Sequence, residues 1–333
     1  MLILLTGFII LVVGLLVLDL GVFHKKDHVI SVKEALVWTV FWVACAMLFA
    51  VFVYFAYENH WFGIGTGAWK RDGHQAAIEY ITGYLIEKSL SLDNIFVIAI
   101  IISSFGIPKE MQHRVLFWGI LGALVMRGAM IMLGTALIMK FGWILYVFGA
   151  FLIIIAIKTA FSKHEEEKFD ADKSAAVKIL RKIFPVSSRF YGHHFFSREN
   201  GKLAATPLFA ALIVIEFSDL IFAIDSIPAI FAITIDPFIV FTSNIFAILG
   251  LRSLFFALSA LIDKFTYLKY SLALILLFVG LKMQLPLFGG HIGLPAHLPA
   301  HVSLAVICFF LLLGILASKI FKKPVTGSDF FSI

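Results

Sequence analysis

Of the 333 residues, 61% are apolar and 14% charged, against about 45–50% and about 25% in soluble domains. The 36 Phe, the 9 Pro and the lack of any sizeable hydrophilic domain exclude soluble enzymes, nucleic-acid readers and secreted disulfide scaffolds. The net charge of +6 is therefore an orientation signal rather than an affinity for nucleic acid, because Lys and Arg collect in cytoplasmic loops.

In chain order, apolar runs and their polar punctuation predict helices near 2–22, 34–57, 77–104, 114–138, 142–162, 206–234, 238–262, 266–285 and 302–321. Each approaches the roughly 20 residues that a helix needs to cross a bilayer. The fold class expected is all-α, a polytopic membrane protein of about nine transmembrane helices. The first helix lacks a basic n-region and is followed by Lys25 and Lys26, so it reads as a retained span rather than a cleaved signal. Cys45 and Cys308 lie inside apolar runs and read as small packing residues. With the amino terminus outside and the carboxyl terminus cytoplasmic, the outer loops keep only Lys70, Arg71 and Lys140, and the other loop cations fall inside. The insert 162–202 is then a cytoplasmic linker. Its Val177, Leu180 and Phe184 share one side of a short helix, which either lies at the lipid surface or belongs to a solvated connector. His291, His297 and His301 in and beside the last outer loop read as incidental.

The sequence repeats itself. Phe141, Tyr146, Leu152 and Lys158 recur as Phe265, Tyr270, Leu276 and Lys282; Arg127 recurs as Arg252; Glu87 and Asp93 recur as Asp219 and Asp225. The resulting organisation is two N-terminal helices (1–61), repeat A (76–162), the linker (163–204), repeat B (205–285), and an outer loop, last helix and tail (286–333). Two consecutive copies of three crossings must enter from opposite sides, which makes an inverted three-helix repeat of the kind found in secondary transporters. A duplication that left only a scaffold gives the same pattern.

Ionisable groups inside a bilayer cost about 2.5–3.5 kcal/mol each on insertion scales. The third helix nevertheless carries Glu87, Lys88, Asp93 and Asn94, and the sixth Glu216, Asp219, Asp225 and Ser226. Five carboxylates face three cations, Lys88, Arg127 and Arg252. The surplus is what a divalent cation, or protonation of one or two acids, would neutralise. Oxygen ligands without Cys or His favour hard ions such as Mg, Ca and Mn over Zn or Cu. Arg127 and Arg252 can equally pin the bundle by pairing with acids. Pro228 should break the sixth helix and free the carbonyl of Ile224 beside Asp225, while Asn244 offers one more oxygen.

On these residues the chain resembles the TerC family of integral membrane proteins, and more closely its Alx-like branch. The match rests on Glu87 to Val97, on Glu216 to Thr234, and on Asp236-Pro237-Phe238, Thr242-Ser243-Asn244 and Gly250-Leu251-Arg252. The resemblance implies a bacterial inner-membrane protein of manganese homeostasis and efflux, with some relatives linked to tellurite resistance or metal delivery. Carried over by position, Glu87, Asp93, Glu216, Asp219 and Asp225 match the family's intramembrane acids, and Asn94 and Ser226 the residues that follow two of them. The function expected is secondary transport of divalent metal, Mn(II) foremost, with protons as counter-ion and no permanent cofactor. No nucleotide-binding or His-Glu-x-x-His motif points to an ATPase or a zinc hydrolase. The competing class is a membrane adaptor or metal-delivery subunit that works through partner proteins.

Overall fold

The computed structural model describes residues 2–23, 31–66, 70–161, 175–187, 189–192, 194–199, 202–259, 268–288 and 298–320. Its helices are α1 (Leu2–Phe23), α2 (Val32–Glu58), α3 (Gly73–Ser104), α4 (Lys109–Lys140), α5 (Ile144–Phe161), α6 (Ala175–Ile183), α7 (Pro207–Phe231), α8 (Pro237–Leu249), α9 (Leu251–Ser259), α10 (Leu268–Phe288) and α11 (Ala300–Ile320). Their starts are marked locally. The side chains of Ser31, Asp72 and Asp236 accept the backbone N–H groups of Glu34, Gln75 and Phe238, and Pro207 and Pro237 occupy the first helical turn, where a missing N–H costs nothing.

Among the described residues seven helical segments are long and apolar enough to cross a membrane: α2, α4, α5, α7, α8 with most of α9, α10 and α11. Large apolar side chains such as Val40, Leu48, Val125, Met132, Ile154, Phe309 and Leu312 stand exposed on them, as lipid-facing surfaces require. The apolar stretch of α1 is shorter, Ile3–Leu18. The exception that matters is α3, whose 32 residues include Glu79, Glu87, Lys88 and Asp93, more charge than the other long apolar stretches hold. It is the central helix, in contact with α2, α7, α8, α9, α10 and α11, so its polar groups meet protein instead of lipid.

The helices on either side of the linker, α3 to α5 and α7 to α10, pack against one another. α3 packs on α7, α4 on α8 and α5 on α10, and the crossed pairs α3 with α8 and α4 with α7 are in contact as well. At the α5–α10 crossing the backbones touch through glycines: a Cβ on Gly280 would lie 2.8 Å from the Gly149 carbonyl oxygen. Small residues permit this approach between membrane helices.

Three expectations need correction. The sixth predicted helix does not break: α7 stays helical through Pro228, because that proline lies in the last turn, where the lost bond is close to the helix end anyway. The predicted helix 238–262 divides instead, into α8 and α9 at Gly250 (φ −86°, ψ 4°). The described part of the linker is packed on the helices and is not a solvated connector, and the buried face of its short helix covers protein. Ala176 and Val177 of α6 pack with Leu208 and Ala211 of α7, and Leu180 with Ala205 and Ala210. Beside α6 lies an antiparallel hairpin, β1 (Phe196–Glu199) with β2 (Lys202–Ala205), whose Phe196 ring sits 4.4 Å from that of Phe209. The loop residues 163–168, His193, His291 and His297 lie outside the described residues.

Candidate cation site

Arg127 on α4 is the centre of the polar interior. It is wholly buried and forks between the copies: Nε and Nη2 donate to the two carboxylate oxygens of Asp219 on α7 at 3.0 and 2.8 Å, and Nη1 donates to Glu87 on α3. Glu87 is itself fully buried and accepts from Asn244 Nδ2 on α8 at 3.0 Å and from Ser91 Oγ at 3.4 Å. Ser226 Oγ accepts from Arg127 Nη1 at 3.4 Å. Asp219 and Ser226 are seven residues apart and share a face of α7, as unbroken helical periodicity requires. Bidentate guanidinium–carboxylate geometry of this kind is strong and directional.

Five of the predicted residues therefore converge here: Glu87, Arg127, Asp219, Ser226 and Asn244. Asp225 is within electrostatic range of Glu87 and Arg127. Asp93 lies on α3, and its side chain is outside the described residues. Asn94 is buried on α3, and its Nδ2 has no hydrogen-bond partner among the described residues. Glu216 is elsewhere on α7, pressed against Gly122 of α4, where a Cβ would meet its carboxylate. Lys88 points away from Glu87. Its Nζ donates to the Ala247 carbonyl at 3.3 Å, beside the α8–α9 break, and a Cβ at Gly250 would reach within 2.8 Å of it. Arg252 is buried at the start of α9.

Two acceptors stand out. Asn244 must turn its Nδ2 toward Glu87, since a carboxylate only accepts, so its Oδ1 faces the other way, and that oxygen has no donor among the described residues. Glu216 Oε2 is in the same condition. Buried acceptors without donors are rare in native structures. Among the described residues no three His, Cys, Asp or Glu side chains are gathered as a metal cluster; the guanidinium of Arg127 occupies the place where the Glu87 and Asp219 carboxylates meet.

A polar group missed from sequence is Glu79, buried on α3. Both its carboxylate oxygens accept from Arg71 Nε, at 3.0 and 3.3 Å, and Oε1 accepts from Gln75 Nε2 at 2.9 Å. The signal was present in the spacing, since Glu79, Gly83, Glu87 and Ser91 recur every four residues. Asp236, at the α7–α8 turn, accepts from the Tyr57 hydroxyl at 2.8 Å. Burial pushes its carboxyl above the ordinary range, against the opposing pull of that bond and of the N–H groups of Phe238 and Ile239.

The model of the integral membrane protein TerC family matches residues 72–326. The chain belongs to the TerC family. This TerC chain is 48% identical to "Uncharacterized membrane protein STKORF319" of Myxococcus xanthus over 97% of its length and 94% of that protein's. It is 44% identical to "Putative membrane-bound redox modulator Alx" of Salmonella typhi and of Escherichia coli K12, over 90% of its length and 89% of theirs. The resemblance to the Alx-like branch drawn from the motifs is thus borne out. No solved structure matches the chain.

Proposed function

We propose that this protein is a secondary transporter that exports a divalent cation, Mn(II) foremost, across the bacterial inner membrane in exchange for protons. The observation that carries the proposal is the surplus of buried oxygen acceptors among α3, α4, α7 and α8: Asn244 Oδ1 and Glu216 Oε2 have no donor among the described residues, and Asp225 adds a carboxylate within electrostatic range of Glu87 and Arg127. Hard cations take such oxygens. Asp93, Asn94, Glu216, Asp225, Ser226 and Asn244 are the proposed ligands, with Glu87 and Asp219 shared between the metal and Arg127. In this reading Arg127 is a resident cation that balances those two acids when no metal is bound.

The proposed architecture is nine crossings, the seven apolar segments plus α1 and α3, with the amino terminus outside. The helix contacts support an inverted repeat: exchanging α3, α4 and α5 for α7, α8 and α10 carries the α3–α8 contact into α7–α4, and the α5–α7 contact into α10–α3, all of which occur. One observation favours the adaptor reading instead, namely the folded cytoplasmic cap of α6 and the hairpin, a ready surface for a partner.

The deciding measurement is Mn(II) flux in vesicles that contain only the purified protein, wild type against Asp93→Asn and Asp225→Asn. Flux lost in both variants is the expected result. Wild-type flux that survives both substitutions sinks the site, and a wild type that moves no metal but retains a stoichiometric partner in pull-downs favours the adaptor. The same vesicles, offered Mg(II), Ca(II), Fe(II) and Zn(II), report selectivity.

A further inference from the structure

The Arg127 centre is joined to the outer face by one side of α3. Glu79, Gly83, Glu87 and Ser91 are spaced four apart and so line one face; Glu79, Glu87 and Ser91 are buried on it. Opposite Gly83 stands Ser243 of α8, close enough that a Cβ on the glycine would lie 2.9 Å from its hydroxyl oxygen. The next α8 residue is Asn244, fully buried, with no donor to its Oδ1 among the described residues. Glu79 and Glu87 are about 12 Å apart along the helix at 1.5 Å per residue, with the Ser243 hydroxyl between them. Oxygen therefore recurs along a face that is otherwise packed in protein.

At the outer end this face is closed by a cation of the protein itself. Arg71 precedes α3 and keeps part of its side chain exposed, 22%, while the Glu79 side chain it holds is 3% exposed. Arg71 keeps part of its hydration while it pairs with the deeply buried Glu79 carboxylate, which lowers the desolvation cost of the pair, and Lys282 of α10 also lies within electrostatic range of that carboxylate. Arg71 can leave for water, whereas Glu79 cannot.

We propose that Glu79 is the outer station for the transported divalent cation on its way from the Arg127 centre, and that Arg71 is the tethered cation that fills this station between passages. This inference rests on the transport reading above and adds an exit route to it. The cation that reaches Glu79 displaces the guanidinium, and the returning guanidinium expels it outward. Glu79 thus governs passage and not the affinity of the inner site.

The test pairs two readouts on the full-length purified protein: Mn(II) flux in vesicles, and Mn(II) binding in detergent followed by the loss of the free-ion paramagnetic resonance signal. Glu79→Gln is expected to lower flux at least tenfold and leave binding within twofold of wild type. Arg71→Gln removes the tethered cation and leaves Glu79 to the metal, so protein whose melting midpoint shows it folded is expected to keep flux at or above wild type. The exchanged pair, Arg71→Glu with Glu79→Arg, should restore the ion pair and the melting midpoint yet carry no flux, because a cation is now fixed on the path. Wild-type flux in Glu79→Gln, loss of flux in Arg71→Gln, or flux recovered by the exchange would each overturn the inference and make the pair a structural clasp. If Glu79→Gln does not fold, the Arg71→Gln and exchange results decide. A wild type that moves no Mn(II) overturns the transport reading itself, which is a different result from any of these.

Discussion

Arg127 ties three helices together through its pairs with Glu87 and Asp219. A buried ion pair is weak evidence for stability, since desolvation opposes the attraction, yet removing one member strands the others. Arg127→Gln leaves Glu87 and Asp219 facing each other without a cation, so a loss of about 3–5 kcal/mol is expected, read as a lowered unfolding midpoint in detergent. Adding Asp219→Asn to Arg127→Gln should recover part of that loss, because one of the two stranded charges is then absent. Arg127→Lys should fall between, as an ammonium cannot reproduce the bidentate fork. At this scale the sequence was legible in kind. Acids stand out where only 14% of residues are charged, and pairing of Arg127 with acids was one of two open readings. Which acid meets which base was not legible, because pairing depends on helix rotation. Glu87 and Lys88 are chain neighbours that serve different places, one at Arg127 and the other at the Ala247 carbonyl.

Among the elements, the two helix breaks illustrate what local chemistry can and cannot foretell. Pro228 cannot donate to the Ile224 carbonyl one turn before it, yet α7 stays helical through it and ends three residues later at Phe231. The helix divides at Gly250, where the side chains of Lys88 and Trp42 stand 2.8 and 3.1 Å from where a Cβ would be, contacts that no local rule predicts. Gly250→Ala must therefore push the Lys88 ammonium off the Ala247 carbonyl, and a lowered melting midpoint is expected that Lys88→Met largely relieves. A similar limit applied to α6. Its apolar side was correctly located in the sequence, but the surface it covers is α7 and β2, since lipid and protein accept the same residues. Leu180→Ala should cost about 2–5 kcal/mol, as buried truncations do, read as faster proteolysis of the linker. Ile179→Ala, at a side chain 55% exposed, should change little. Equal sensitivity at the two positions would return α6 to the lipid surface.

For the whole molecule, span count and orientation are separate matters. Hydropathy recognises a helix by what it shows to lipid, and α3 shows little because other helices surround it. Its charges make it the least span-like long helix and the one on which the candidate site depends. Orientation follows from the loops. If α1 and α3 both cross, the amino terminus, Thr66 and the α7–α8 turn share one side, expected to be the outer one, and the α6–hairpin cap lies on the other. A chain lacking Cys45 and Cys308, both free thiols, can be given one new cysteine at a time to test this. Thr66→Cys, exposed in the outer turn, should react with a membrane-impermeant maleimide in intact spheroplasts. Arg198→Cys, exposed on β1, should react only after the membrane is opened. The reverse pattern would turn the protein over, and Glu79 with Arg71 would then guard the cytoplasmic entrance instead of the outer exit. Reaction of both sites in intact spheroplasts would mean that the number of crossings between them is even, and one of α3, α4 and α5 would have to be withdrawn as a span.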